Sequence, residues 1–272
     1  VSRIPVSSPR PELQVAVDAV LEAGRAVMGV YAGDFSSETK RDGSPITEAD
    51  IKSNRIIKAA LKKSGHWMLS EEGNDGKDRL GQDVVWIVDP LDGTSDFIKR
   101  TGEFTIMIAL VEKKVPVIGV VFWPVGRTLF VAQEGQGAYR LADGVWERIH
   151  VTGETELGNC RAVGSRSHLS EEERALFERL GVKEFSGVGS SLKVGKISSG
   201  EAEMYVTTTN RMMEWDSCAS FCIINEAGGR MTDILGNVLT YNNEVVNHLH
   251  GIVASNGLIH DKIIAGLGSA GA

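Results

Sequence analysis

The sequence predicts an α/β (α+β) fold on three observations: an amphipathic helical repeat near its start, adjoining apolar β-rich segments between residues 84 and 133, and alternating strand and helix patterns from residue 161 onward. At 272 residues the chain has room for a large core or for two domains. Hydrophobic residues make up 42% and charged residues 24%, with 31 glycines, which excludes collagen-like, coiled-coil and disordered classes.

Leu13, Val17, Val20, Leu21, Val27 and Met28 recur at spacings of three and four and predict the first helix. The segment KRDGSPITEAD interrupts it with a turn at Gly43 and Pro45. Thr47 and Asp50 then have the spacing of a helix start leading into Ile51, Ile56, Ile57, Ala60 and Leu61. VVWIV, from Val84 to Val88, reads as a buried strand that ends at Asp89-Pro90. FTIMIALV (Phe104 to Val111) and VPVIGVVFW (Val115 to Trp123) suit an antiparallel pair; TLFVAQ continues the sheet, and GQGAY with LADGVWE forms a further hairpin. Residues 150 to 160 are the expected domain boundary.

Beyond it come a strand at RAVGS, a helix opened by Ser170 and Glu171 to Glu173, and helices over Leu192 to Ser198, Asp216 to Ala227 and Leu258 to Leu267. Strands are expected at Ala202 to Val206, Arg230 to Asp233 and Gly251 to Ala254. No repeat or low-complexity segment is present.

A net charge of −7 disfavours a broad nucleic-acid footprint, so an anionic ligand would have to be met locally. Cys160, Cys218 and Cys222 form no disulfide or zinc pattern. Neither a signal-peptide core nor a membrane span is read, and a soluble, cytoplasmic protein is expected.

The chemistry concentrates in Asp89-Pro90-Leu91-Asp92-Gly93-Thr94. Two carboxylates at a strand's end repel one another unless a hard divalent cation neutralises them. The Gly93 and Thr94 amides, opening a short helix, would suit a phosphate. On spacing alone, Asp89 and Asp92 read first as turn and cap residues, as most isolated DPxD strings do, and Asp50 as a capping-box residue. Ser70-Glu71-Glu72-Gly73 and Trp215-Asp216 add further acids.

WIVDPLDGTSDF, SEEG, KRDGSPITEAD and EWDSCASFCIINEAGG, in this arrangement, resemble the inositol monophosphatase superfamily of magnesium-dependent, lithium-sensitive phosphatases, from about residue 12 to 265. The resemblance implies a layered α/β/α/β/α sandwich in two parts: a metal-binding domain over residues 1–155 with a mainly antiparallel sheet, and a smaller α/β domain over 156–272 that closes the site. It implies two or three Mg2+ ions held by Glu71, Asp89, Asp92, Asp216 and the Leu91 carbonyl, with Glu72 a less secure member. Asp50 and Thr94 match the pair that activates water.

FIKRTGEFTIMIALV, GSRSH and GSSLKVGKISSGEAEMY are similar to the CysQ-type bisphosphate nucleotidase branch, which removes the 3'-phosphate of adenosine 3',5'-bisphosphate. That similarity assigns Ser190, Lys193 and His168 to the substrate, beside Asp92, Gly93, Thr94 and Asp216. Lys193 also fits a plain solvated lysine and His168 a helix-flanking one. A P-loop is excluded, because Ser190 stands where Gly would have to precede Gly195-Lys196. The chain departs from the branch after Tyr205, where Val206, Thr207 and Thr208 stand without the usual arginine and Arg211 comes only later. An inositol-1-phosphate or fructose-1,6-bisphosphate phosphatase, or an inactive metal-binding regulatory protein, are the alternatives. A small phosphorylated substrate, no nucleic-acid polymer, inhibition by Li+ and a monomer or homodimer complete the expectation.

Overall fold

The structure, a computed structural model, describes residues 3–73, 76–166 and 169–268. Helix α1 (Pro11–Tyr31) opens with proline at its first turn, where no intrahelical N–H is needed, and buries Leu13, Val17, Val20 and Val27. A small hairpin, β1 (Ser37–Thr39) with β2 (Pro45–Thr47), leads into α2 (Glu48–Leu61). The first sheet contains β3 (Trp67–Ser70), β4 (Val84–Asp92), β5 (Thr105–Glu112), β6 (Val115–Trp123), β7 (Thr128–Gln133), β8 (Gly137–Ala142) and β9 (Val145–Ile149), in that spatial order. Only β3 and β4 pair in parallel; the other neighbours are antiparallel. The short α3 (Thr94–Ile98) follows β4.

In the second half, β10 (Arg161–Ser165), α4 (Glu171–Arg179), β11 (Glu184–Val188), α5 (Leu192–Ser198), β12 (Met204–Thr207), α6 (Glu214–Glu226), β13 (Arg230–Thr232), β14 (Ile252–Ser255) and α7 (His260–Gly268) follow. Its sheet runs β11-β10-β12-β14-β13 and is mixed: β10 pairs in parallel with β11 and β12, while β14 is antiparallel to β12 and β13.

The elements stack in five layers. α1 and α2 cover one face of the first sheet, α5 and α6 lie between the two sheets, and α4 and α7 cover the outer face of the second. Three apolar cores fill the spaces: one under α1 around Leu13, Trp86, Ile106 and Ile108, one around α6 with Ile87, Met107, Phe130, Ile223 and Ala254, and one under α7 with Leu176, Met204 and Val253. Each fully buried Leu, Ile or Phe contributes roughly 1.5–3 kcal/mol, so these cores hold the layers together. The second core draws on residues from both halves of the chain. Gly119 of β6 lets α6 sit close: a Cβ there would lie 2.3 Å from the Ala219 carbonyl oxygen.

The strand expected to stop at Val88 instead continues to Asp92. Asp89 pairs with Met107 and Asp92 with Thr105, so three steps along β4 match two along β5, a bulge at Pro90-Leu91. Proline donates no ladder hydrogen bond, which is why the irregularity falls there. β1, β2 and β11 carry no strand pattern in the sequence; β1 is wholly exposed and β11 largely so, and neither shows an apolar alternation. Among the described residues no helix is long and apolar enough to cross a membrane.

Candidate active site

The bulge decides the geometry of the acids. In a regular strand residues three apart point to opposite faces, but the extra residue turns Asp89 and Asp92 to the same face, the one on which Met107 contacts the α6 core. α6 contributes Asp216 from its first turn. Carboxylate oxygens of Asp89, Asp92 and Asp216 lie within 4.8 Å of one another.

Burial, followed by the charges of Glu71, Asp92 and Asp216, raises the Asp89 carboxyl well above the usual range. Asp216 is likewise raised by burial and by Asp92. Burial outweighs the opposing pull of Lys193 and the Ser191 N–H to bring Asp92 to about 6. Three crowded acids that resist ionisation, all hard oxygen donors, fit a divalent cation such as Mg2+, which would remove the repulsion that the protein alone leaves uncompensated. Leu91, in the bulge, lines the same cleft, with its carbonyl oxygen 3.2 Å from Thr94 Oγ1.

Glu71 lines the cleft beside this triad, but is not one of its three members. Its Oε1 accepts a hydrogen bond of 2.8 Å from Lys40 Nζ, and Lys40 also binds Glu72. Lys40, the first residue of KRDGSPITEAD, sits in the turn between β1 and β2; that string assigns it no role.

Helix α2 organises the rest. Thr47 caps it, accepting from the Ala49 N–H, while Asp50 Oδ2 accepts from the Thr47 N–H and hydroxyl at 2.8 and 2.6 Å. The other oxygen, Oδ1, accepts from Thr94 Oγ1 at 2.9 Å. Asp50 therefore serves as capping residue and as the partner of Thr94 at once, one oxygen for each. Ser53 donates to the Pro90 carbonyl at 2.6 Å and holds the bulge; Asn54 donates to the Glu72 carbonyl at 2.9 Å and holds the acidic turn. Asp50, Ser53 and Asn54 form an i, i+3, i+4 polar stripe on an otherwise amphipathic helix, a signal available in the sequence but not read from it.

The cleft has a volume of about 330 Å³. Gly93 (φ 92°), Thr94 and Ser95 line it where α3 begins, and the left-handed backbone at Gly93 makes that turn possible. Opposite, Ser191 donates its N–H to Asp92 Oδ2 at 2.6 Å and shares a 2.7 Å hydrogen bond with Thr105. This ties the second half of the chain to the acidic centre. Lys193 is buried, donates to the Ser190 carbonyl at 2.6 Å and lies 5.3 Å from the centre of the Tyr205 ring. Burial lowers its pKa, against the pull of Asp92, Asp96 and Asp216.

Ser190 has a left-handed backbone (φ 48°), and its Oγ is buried without a hydrogen-bond partner. A strained serine with an unsatisfied buried hydroxyl at a cleft is free to hydrogen-bond a ligand there. Arg211 also lines the cleft, exposed and in no ion pair among the described residues. His168 lies outside the described residues. Arg166 of GSRSH is paired with Glu103 at 2.7 Å. His248 is structural, with Nε2 2.7 Å from Ser217 Oγ, and Cys218 and Cys222 are buried in the α6 core.

The layered fold and a cleft lined by acids at a bulged strand end define a phosphatase of the inositol monophosphatase kind. The model of the inositol monophosphatase family matches residues 8–271, and the chain belongs to that family. It is similar to the 3'(2'),5'-bisphosphate nucleotidase CysQ of Salmonella typhimurium, 38% identical over 80% of this chain and 89% of that one. A fructose-1,6-bisphosphatase/inositol-1-monophosphatase of Thermotoga maritima is 30% identical over 93% of this chain and 94% of its own. The crystal structure of CysQ from Bacteroides thetaiotaomicron superposes with a TM-score of 0.77 at 35% identity, covering 90% of this chain and 97% of that one.

Proposed function

We propose that the protein hydrolyses a phosphate monoester in a Mg2+-dependent reaction, and that its substrate is adenosine 3',5'-bisphosphate, cleaved to AMP and phosphate. The observation that carries the chemistry is the convergence of Asp89, Asp92 and Asp216 in a cleft whose acids are raised by burial and then by one another's charge. The substrate assignment rests on the likeness to CysQ, with Ser190, Lys193 and Arg211 available to phosphate oxygens.

Asp89, Asp92, Asp216, Glu71 and the Leu91 carbonyl would hold the cations, with Glu71 exchanging Lys40 for metal. Bound Mg2+ supplies a Lewis acid that acidifies water and neutralises charge on the phosphoryl group. The remaining work falls to the chain. With its proton donated to Asp50, the Thr94 hydroxyl turns its lone pairs toward the cleft, where it accepts a hydrogen bond from the attacking water and aims it. Asp50, raised by burial, is placed to take up that proton through Thr94. Backbone N–H groups of Gly93 and Thr94 at the start of α3, together with Lys193, stabilise the phosphoryl oxygens during in-line displacement. Residues 156–272 close this site over residues 1–155 by contributing Asp216, Ser190 and Lys193. Inhibition by Li+ belongs to the same proposal.

Arg211 supplies the cation that the sequence lacks directly after Tyr205. The test is phosphate release from adenosine 3',5'-bisphosphate, inositol 1-phosphate and fructose 1,6-bisphosphate, each with Mg2+ and with chelator. Preference for the nucleotide supports the assignment. Preference for a sugar phosphate, in line with the Thermotoga relative, overturns the substrate but keeps the chemistry, and no Mg2+-dependent release from any of them overturns both.

A further inference from the structure

Asp216 is the one acid of the triad delivered by the second half of the chain, so its position depends on where α6 begins. We propose that Glu214 is its positioning residue: a buried carboxylate that fixes the first turn of α6 by gripping the loop over residues 240–248, and thereby holds Asp216 in the metal-binding triad. The inference rests on reading Asp216 as a metal ligand.

Glu214 is 1% exposed, two residues before Asp216, and no part of the cleft wall. A buried carboxylate is costly unless its lone pairs are used. Here Oε2 accepts from the Asn242 N–H at 2.7 Å, while Oε1 accepts from the Asn243 N–H at 2.9 Å and from Asn243 Nδ2 at 2.8 Å. All three donors come from one turn, and Asn242 has the left-handed backbone (φ 60°) that aims two successive N–H groups at one acceptor. The Glu214 N–H reaches the same loop, donating to the Val246 carbonyl at 2.8 Å.

The loop is itself anchored to the first half. Arg79, buried between the acidic turn and β4, donates to Asn242 Oδ1 at 2.8 Å and to the Asn243 carbonyl at 3.0 Å, and its own carbonyl accepts from Asn242 Nδ2 at 3.0 Å. The Lys114 carbonyl of the β5–β6 turn accepts from the Tyr241 N–H. At the other end of the chain of contacts, Asp216 Oδ2 accepts from the Met213 N–H at 2.7 Å. That bond leaves Oδ1 for the cleft and makes the acid's direction depend on the backbone at residues 213 and 214. Glu214 thus connects the scaffold of the first sheet to the one metal-binding acid that does not stand on it.

Isothermal titration of the whole protein with MgCl2, with Asp216→Asn as reference, tests this. Glu214→Gln replaces one accepting oxygen by an NH2 group facing an N–H donor, so the loop must shift. The expected result is a 10- to 100-fold weaker Mg2+ affinity, in the range seen when outer groups that orient metal ligands are removed. At saturating Mg2+ the KM for substrate should stay within about twofold of wild type. Asn243→Ala, which removes only one of the three donors, should fold even if Glu214→Gln does not, and should weaken Mg2+ several-fold. A purely structural role would lower the melting temperature of both variants and leave Mg2+ affinity unchanged, which overturns the proposal. Unaltered Mg2+ binding in Asp216→Asn would instead overturn the reading of the site on which it rests.

Discussion

Replacing Asp92 by Asn should stabilise the protein when divalent cations are chelated, and should make it indifferent to their return. Burial holds the Asp92 carboxyl at about 6, against an ordinary value of 3.8. A displacement of about two units corresponds to about 3 kcal/mol that the ionised group costs the folded state at pH 7.5. Asn cannot ionise and so avoids that cost, while its carbonyl can still accept from the Ser191 N–H; imperfect replacement there gives back about 1 kcal/mol. The net gain of about 2 kcal/mol should raise the melting temperature by roughly 4–8 °C in a chain of this size. The sign follows from proton binding. Because the folded pKa is raised, the cost is absent below about pH 4, grows between pH 4 and 6 and is complete above 6, so the advantage of the variant should vanish at pH 4. Thermal unfolding in EDTA at pH 7.5 and pH 4, repeated at pH 7.5 with Mg2+, measures all of this. Wild type should gain stability from Mg2+ and the variant little. A variant less stable than wild type in EDTA at pH 7.5, by an amount that does not change with pH, would refute the account of crowded acids.

Asp50→Asn and Thr94→Ala should each lower kcat by roughly 10²- to 10⁴-fold with Mg2+ affinity near wild type, as steady-state kinetics beside calorimetry would show; Asp50→Asn, whose NH2 would face a donor on Thr47 or Thr94, should also lower the melting temperature. Arg211→Ala should raise the KM for adenosine 3',5'-bisphosphate at least tenfold while leaving that for a monophosphate substrate unchanged; equal effects on both would remove Arg211 from second-phosphate recognition. Gly119→Ala places a methyl group against the Ala219 carbonyl and should cost about 1–3 kcal/mol by chemical denaturation, with weaker Mg2+ binding as α6 moves away from the first sheet.

The fold was legible where burial writes a pattern. Val84–Val88, Phe104–Val111 and Val115–Trp123 are apolar because both faces of the first sheet are covered, by α1 and α2 on one side and α6 on the other. β1 and β11, mostly exposed, leave no such trace. The acids at 89, 92 and 216 were legible as residue types, but the bulge that turns Asp89 and Asp92 to one face is a property of pairing with Thr105 and Met107, which a single strand cannot show. The Asp50–Thr94 hydrogen bond came from family likeness, since its partners stand 44 residues apart. Lys40 on Glu71 and Arg79 on Asn242 are contacts between distant segments, with no local signature at all.

The central claim is that acids from both halves of the chain form one divalent-cation site. Anomalous diffraction from a crystal soaked in Mn2+, a Mg2+ surrogate with a usable signal, tests it most directly. The account requires a peak between the carboxylates of Asp89, Asp92 and Asp216, with Glu71 released from Lys40 and turned toward the metal. Full Mn2+ occupancy elsewhere, with these three carboxylates bare and Glu71 still on Lys40, would contradict it.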